Sequence, residues 1–489
     1  MKKYHRYDDI PLELIASLGE KVSNSPYHQL FHIEGDMGYI NDPNGVCYFE
    51  GEYHLFYQWS PLTYSEDSWF QGWYHMTSKD LVSWQNQGVG IETDSIYETH
   101  GAYSGSAMAE KDHIKIFYTG NTRNSCNERI PYQIIASLGA LLDKDGHIQK
   151  LNKVLIEQPK DTTDHFRDPK IWKNKEGYFA VIGAQRENLT GTSLVLFSKE
   201  GFDWEVLGEV DIAYQNFGYM WECPNYFEIG DKGIFLFSPQ GVSPEGDKFR
   251  NLYQTGYVIG DKISKNNLKV TSERTFLEID RGFDFYAAQV MQANGRTFLF
   301  AWMGLPEIAY PTEQYAYCGC LTLPRELFLE NGQLKQRPLK EIKKYRNPLA
   351  LSQSKNSYEL GFGVDIELSV ERTLEDVVKI DLAADNNKTV GTRLVINFVE
   401  RKIFLDRALS GEKIAEEFGT DRLIADNIGD KVNLRIFLDR SSIEIFVDDG
   451  DFVASSRIFP TEKQKYLHLD RNQATFNLKV WKLEIGETR

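Results

Sequence analysis

Apolar residues recur along this chain as short dense runs, each entered through a turn residue. Five stand out: EYHLFYQ after Gly51, HIKIFYTG after Asp112, YFAVIGA after Gly177, IFLFSP after Gly233 and RTFLFAW after Gly295. A β-branched and aromatic run behind Gly or Asp predicts a strand. The entries are separated by 61, 65, 56 and 62 residues. A polar residue precedes each of them by 8 to 11 positions: Asp42, Ser104, Asp168, Glu222 and Asp284. A period near 60 with several strands per unit predicts the blades of a β-propeller, here five. The innermost strands of such a fold face one axis, so the polar residues of distant units are expected to converge, although 180 positions separate Asp42 from Glu222.

From about Tyr345 the texture changes to alternating apolar and polar positions, as in VNLRIFLD from Val432 and SIEIFV from Ser442, which marks half-buried strands. The turn Asp448-Asp449-Gly450 predicts a hairpin into FVASSRIF, and TFNLKVWKLEI forms a last strand. Many short strands of this kind predict an antiparallel β-sandwich. Near the start, Leu12, Ile15 and Leu18 make a helical stripe between Pro11 and Lys21. The expected organisation is all-β: a helical extension over 1–25, a five-bladed propeller over 26–335, a linker over 336–345 and a sandwich over 346–489.

Composition narrows the function classes. A net charge of −16 makes nucleic acid and anionic membrane poor partners, and no stretch approaches the apolar length of a membrane span. The five cysteines have no metal-ligand spacing and the ten histidines no HExxH pattern, so neither metal nor cofactor is expected. The first twenty residues lack the apolar core of a signal peptide, which predicts a cytoplasmic protein with reduced thiols. The sandwich is the expected surface for any oligomer contact.

Three motifs set an acid beside a proline: Asn41-Asp42-Pro43-Asn44-Gly45, Phe166-Arg167-Asp168-Pro169 and Trp221-Glu222-Cys223-Pro224. Proline fixes φ and leaves the neighbouring carboxylate little freedom. Each motif alone is also ordinary turn or ion-pair chemistry. Their occurrence in order, at equivalent places of successive repeats, favours a shared site.

These runs, together with HLFYQ from His54, WYHMTSKDLVSW from Trp73, YSGSA from Tyr103, GFDFYA from Gly282, LTLPREL from Leu321 and LRIFLDRSSIEIFVDDG from Leu434, resemble glycoside hydrolase family 32, the invertase, inulinase and levanase family. Within it the chain resembles the bacterial sucrose and sucrose-6-phosphate hydrolases. The resemblance implies the propeller and sandwich, and a retaining β-fructofuranosidase acting on sucrose or related sugars. It implies Asp42 as nucleophile, Glu222 as general acid and base, and Asp168 as a stabiliser of the transition state. A retaining mechanism needs one ionised and one protonated carboxyl, and Trp221, Cys223 and Pro224 beside Glu222 suggest an apolar setting that raises its pKa. The sugar pocket is expected to draw on Asn41, Gln58, Trp69, Tyr103, Ser104, Arg167, Tyr286 and Trp302, with Asp284 in support. The chain departs from the family pattern at Ile40, in the Trp59–Trp73 loop and at Tyr286-Ala-Ala-Gln289. A phosphorylated substrate would need a cationic rim, for which Arg123, Arg129, Arg186 and Arg250 are candidates. Fructan hydrolysis and fructosyl transfer are alternatives of the same class, and a non-catalytic sugar-binding protein is the alternative of another class.

Overall fold

The computed structural model describes residues 2–125, 128–134, 148–151, 153–214, 216–373 and 375–486. The predicted helix spans Leu12–Ser23. It buries Leu18 and Val22, while Leu12 is 83% exposed, so the first turn stands clear of the surface on which the helix packs.

Among the described residues the chain then builds five antiparallel sheets in succession; the opening strands of the first four carry Asp42, Ser104, Asp168 and Glu222, and the fifth opens just after Asp284. These opening strands are Gly38–Phe49, Ala102–Ala109, Thr162–Lys173, Met220–Ile229 and Tyr286–Ala293. The apolar runs behind the turn residues form the second strands, from Glu52–Ser60 to Arg296–Trp302. The opening strands pack side by side in chain order, and the fifth returns to the first, which closes a propeller ring. A late segment, Tyr317–Cys318, adds in parallel to Gly38–Tyr39 and ties the end of the propeller to its beginning.

An opening strand is an edge strand, with main-chain groups left over on its axial side. Side chains from the neighbouring strand satisfy them. Asn44 Oδ1 accepts from Gly105 N at 2.9 Å. Ser106 Oγ accepts from Ile171 N and donates to Pro169 O, both at 2.9 Å. Asn225 donates to Ala288 O at 2.8 Å and accepts from Val290 N at 3.0 Å. The ring is therefore stitched by small buried polar residues lying just beyond Asp42, Ser104 and Glu222 in the sequence.

The C-terminal part consists of two six-stranded sheets. Alternate residues such as Ile366, Leu368 and Val370 on one, and Val378, Ile380 and Leu382 on the other, meet in one core. This is the β-sandwich that the alternation predicted, and the Asp448-Asp449-Gly450 turn joins Ser442–Val447 to Phe452–Arg457.

Propeller and sandwich meet through buried ionic groups. Arg325 of the propeller donates to Asp280 Oδ2 at 2.9 Å and to Glu444 Oε2 of the sandwich at 2.6 Å. His32 spans Asp439 at 2.9 Å and Glu444 at 3.0 Å with its two ring nitrogens. Gly282 permits the close approach: a Cβ there would fall 1.9 Å from Ser455 O. Asp284 belongs to this junction. Its carboxylate accepts from Tyr310 at 2.7 Å, from Arg407 at 3.0 Å and from Arg457 N at 2.8 Å. Asp284 was expected to support the sugar pocket directly; its carboxylate is instead engaged by Tyr310, by Arg407 and by the Arg457 main chain.

The two carboxylates outweigh burial and hold the pKa of His32 above its ordinary value. A group whose folded pKa is raised contributes stability below its unfolded value, near 6.5, and loses it as pH rises through the folded value. The stability difference between wild type and His32→Asn, measured by denaturant unfolding, is expected to be largest at pH 6 and to shrink toward pH 9. A difference that stays constant would remove His32 as the titrating link.

Candidate active site

Each opening strand carries a β-bulge at its functional residue. Register shifts fall between Ile40 and Pro43, Ala102 and Gly105, Arg167 and Lys170, Glu222 and Asn225, and Tyr286 and Gln289. A bulge re-aims one side chain without ending the strand, and it tolerates proline because the ladder bond is already lost there. This accounts for the acid–proline motifs. Asp168 and Cys223 take left-handed φ values of 66° and 46° in these bulges, a conformation that persists only where the surroundings enforce it.

The bulges bring the three acids together. Asp42 is half-buried; its Oδ2 accepts from Ser104 Oγ at 2.5 Å and its Oδ1 from Asn41 Nδ2 at 3.1 Å. Asp168 Oδ2 accepts from Cys223 N at 3.1 Å, and its own N–H donates to Thr119 Oγ1 at 3.1 Å. The Cys223 thiol lies 3.5 Å from Asp42 Oδ2 and 3.8 Å from Asp168 Oδ2, so the residue next to Glu222 touches both aspartates. Glu222 Oε1 accepts from Arg167 Nη2 at 2.5 Å and Nε at 3.1 Å, and its Oε2 accepts from Tyr286 OH at 2.5 Å. The flanking residues do not make the apolar setting expected for Glu222. Its immediate partners are a guanidinium and a phenol from other strands.

Desolvation dominates the electrostatics. Asp42 is pushed up to about 6, mainly by desolvation with a contribution from Glu222, against the lowering effect of the Ser104 hydrogen bond. Asp168 is pushed up to about 7, first by desolvation, with Arg167 opposing and Glu222 and Asp42 adding. His165 is held down to about 4 by burial, Arg167 and Arg129. It is therefore neutral and accepts from Arg167 Nη1 at 2.8 Å. Carboxyls this close exchange protons as a group, and near neutral pH the cluster retains part of a shared proton.

The other expected residues divide. Asn41 donates to Gln58 Oε1 at 2.7 Å and Gln58 donates to Ser104 Oγ at 3.0 Å, one amide chain ending on Asp42. Tyr103 carries the Arg129 guanidinium over its ring, 5.7 Å from the centroid. Trp302 is 1% exposed and packs edge-on against Tyr39 and Tyr286, so it backs the site and offers no face to a ligand. Trp69 is drawn elsewhere. It pairs with the N-terminal strand Lys2–Lys3 and has Lys3 Nζ over its ring at 5.6 Å. Arg186 is engaged by Glu209 at 2.5 Å and Arg250 by Asp421 at 3.2 Å, which takes both off a cationic rim. Sequence reasoning missed Thr119, His165, the Cys223 thiol and the Tyr219–Tyr253–Glu307 hydrogen-bond chain beside Tyr286. His165 and Cys223 were visible as neighbours of motif acids, whereas Thr119 and Tyr253 carried no local signal.

The chain matches the model of the glycosyl hydrolases family 32 N-terminal domain over residues 32–338 and that of the family 32 C-terminal domain over residues 331–482. It belongs to glycoside hydrolase family 32. The sucrose-6-phosphate hydrolase of Staphylococcus xylosus is 38% identical over 499 residues, covering 100% of this chain and 98% of that protein. The one from Vibrio alginolyticus is 36% identical, over 95% and 93% of the two chains. The structure of sucrose-6-phosphate hydrolase from Lactobacillus gasseri superposes with a TM-score of 0.91 at 31% identity, covering 98% of each chain. A Bombyx mori family 32 β-fructofuranosidase, solved as a mutant in complex with sucrose, gives 0.80 at 29% identity, over 96% and 97%. Family membership makes the protein a glycoside hydrolase.

Ser104→Ala removes the strongest hydrogen bond favouring the Asp42 carboxylate. The carboxyl 13C titration of Asp42 is expected to move to higher pH in this variant, and a midpoint that stays put or falls would exclude Ser104 as the group that keeps Asp42 ionisable.

Proposed function

We propose that the protein is a retaining β-fructofuranosidase that cleaves the terminal fructosyl bond of sucrose-type substrates. The observation that carries this reading is the contact of Cys223 with both aspartates, which brings Asp42, Asp168 and Glu222 from three sheets to one point of the channel. Asp42 attacks the anomeric carbon while Glu222 gives a proton to the departing glycosidic oxygen, forming a covalent fructosyl ester and a free sugar. Glu222, now a carboxylate, takes a proton from water; the water oxygen adds to the anomeric carbon and Asp42 leaves as carboxylate. Arg167 and Tyr286 orient Glu222, and Asp168 accepts hydrogen bonds from fructose hydroxyls, with its negative charge opposite the cationic transition state.

A phosphorylated sucrose is the second reading, and a specific observation favours it. Arg129 sits over Tyr103 at the edge of the site, and it faces Arg123 across the strand pair. Its buried Nε has no hydrogen-bond partner among the described residues. The relatives named sucrose-6-phosphate hydrolases agree with an anionic leaving group. Among the described residues four buried thiols have no disulfide partner, which suits a reducing, cytoplasmic setting.

Asp42→Ala is expected to lower kcat/KM on sucrose by about 10⁴-fold or more, and near-normal turnover would end the assignment. Arg129→Ala is expected to lower kcat/KM for sucrose 6-phosphate by roughly 10- to 100-fold, the loss of one charge-assisted contact, with sucrose unchanged. An equal loss on both sugars would make Arg129 a structural residue of the mouth.

A further inference from the structure

The axial channel opens again at the far ends of the opening strands. There a cavity of about 260 Å³ is lined from all five sheets, by Cys47, Met108, Lys170, Trp172, Phe227 and Val290 among others. The exposed Ala109, Lys173 and Gln292 mark its outer end, on the side away from the carboxyl cluster. Beyond the bulge at Asp168 the strand is regular again, and Lys170 and Trp172 at alternate positions share one of its faces.

Lys170 is 7% exposed, and its ammonium donates to a single acceptor among the described residues, the carbonyl of Val290 across the axis. Among the described residues no carboxylate pairs with it. Burial pulls its pKa down to about 7, with only the Cys47 thiol opposing. The residues at comparable places of three other sheets, Asn44, Ser106 and Asn225, are neutral and have both donor and acceptor engaged by the main chain. Lys170 differs in carrying charge and in having N–H groups to spare. The indole N–H of Trp172, which lines the same cavity, is buried and has no acceptor among the described residues.

A desolvated cation without a counter-ion is costly, and the spare N–H groups of Lys170 together with the unpartnered indole N–H of Trp172 specify what would offset that cost. We propose that this cavity is a binding site for a small inorganic anion, held between Lys170 Nζ and the Trp172 indole N–H. Its size admits a halide or a phosphate with a few waters. The anion neutralises Lys170 where that side chain already ties the third sheet to the fifth through the Val290 carbonyl, so its binding reads out as stability of the ring. The site is independent of the sugar pocket, and its failure would leave the catalytic reading untouched.

Two measurements test it. Crystals of the wild-type protein soaked in sodium bromide are expected to show an anomalous peak beside Lys170 Nζ; water density there, with bromide confined to the outer surface, would overturn the proposal. In solution, melting temperature is followed against sodium phosphate and against sodium bromide, with ionic strength held constant by sodium gluconate. The wild type is expected to gain a few degrees and saturate, as linkage requires for a ligand bound only by the folded state. Lys170→Met should show no gain. Arg129→Ala, which removes a cation at the sugar mouth, should keep it. An equal gain in Lys170→Met, or its loss in Arg129→Ala alone, would place the anion elsewhere and refute the site.

Discussion

Three carboxyl groups confined with one guanidinium set the terms for the upper channel. Desolvation first, and then repulsion from Glu222, favours the neutral forms of the two aspartates, pushing Asp42 up to about 6 and Asp168 up to about 7. Chemistry at neutral pH requires that this tendency be partly offset. Ser104 and Asn41 stabilise the Asp42 carboxylate, the Cys223 N–H does so for Asp168, and Arg167 is committed to Glu222 through two hydrogen bonds. The result is a pair of aspartates whose titration lies close to neutral pH, where a proton is readily shared between coupled groups. None of the offsetting groups can shift without changing how the acids divide that proton.

Holding such a cluster demands a rigid frame. The propeller supplies it by turning edge strands inward and satisfying them with Asn44, Ser106 and Asn225, which fixes the phase of each strand relative to the next. With the phase fixed, a bulge at the same level of every strand directs its side chain to the axis. The sandwich adds a further constraint. Its Arg407 and the Arg457 main chain clamp Asp284, two residues before Tyr286, so the domain that lies away from the sugar steadies the strand whose phenol holds Glu222. The buried Arg325–Glu444–His32 group locks the same two bodies, and its ionic character makes their junction sensitive to pH in a way that an apolar contact is not.

Several residues have neighbours that the sequence does not reveal, for a common reason: those partners lie far along the chain. Trp69 followed a motif into the expected pocket, yet its neighbours are Lys2 and Lys3, which pair with its strand from the start of the numbering. Asp284 occupied the repeat position that elsewhere carries a site residue, but the sandwich claims it. Trp302 was expected as a possible wall, and Tyr286 and Tyr39 cover it. Arg186 and Arg250 looked available on loops, but Glu209 and Asp421 hold them. Short-range pattern reports the type of side chain and the strand it sits on; it does not report which charges meet.

By itself the sequence determined the strands, the repeat that stacks them, the alternation of the sandwich and the identity of the acids, because all of these follow from periodicities of two and about sixty residues and from acid–proline pairs confined to bulges. The tertiary structure alone decided that Cys223 touches both aspartates, that Glu222 faces Arg167 and Tyr286 in place of its chain neighbours, and that Lys170 stands on the axis with no carboxylate beside it among the described residues. The physical reason is that hydrophobic pattern acts along the chain, over a few residues, whereas desolvation and Coulomb forces act across space, between groups that only closure of the ring brings within reach.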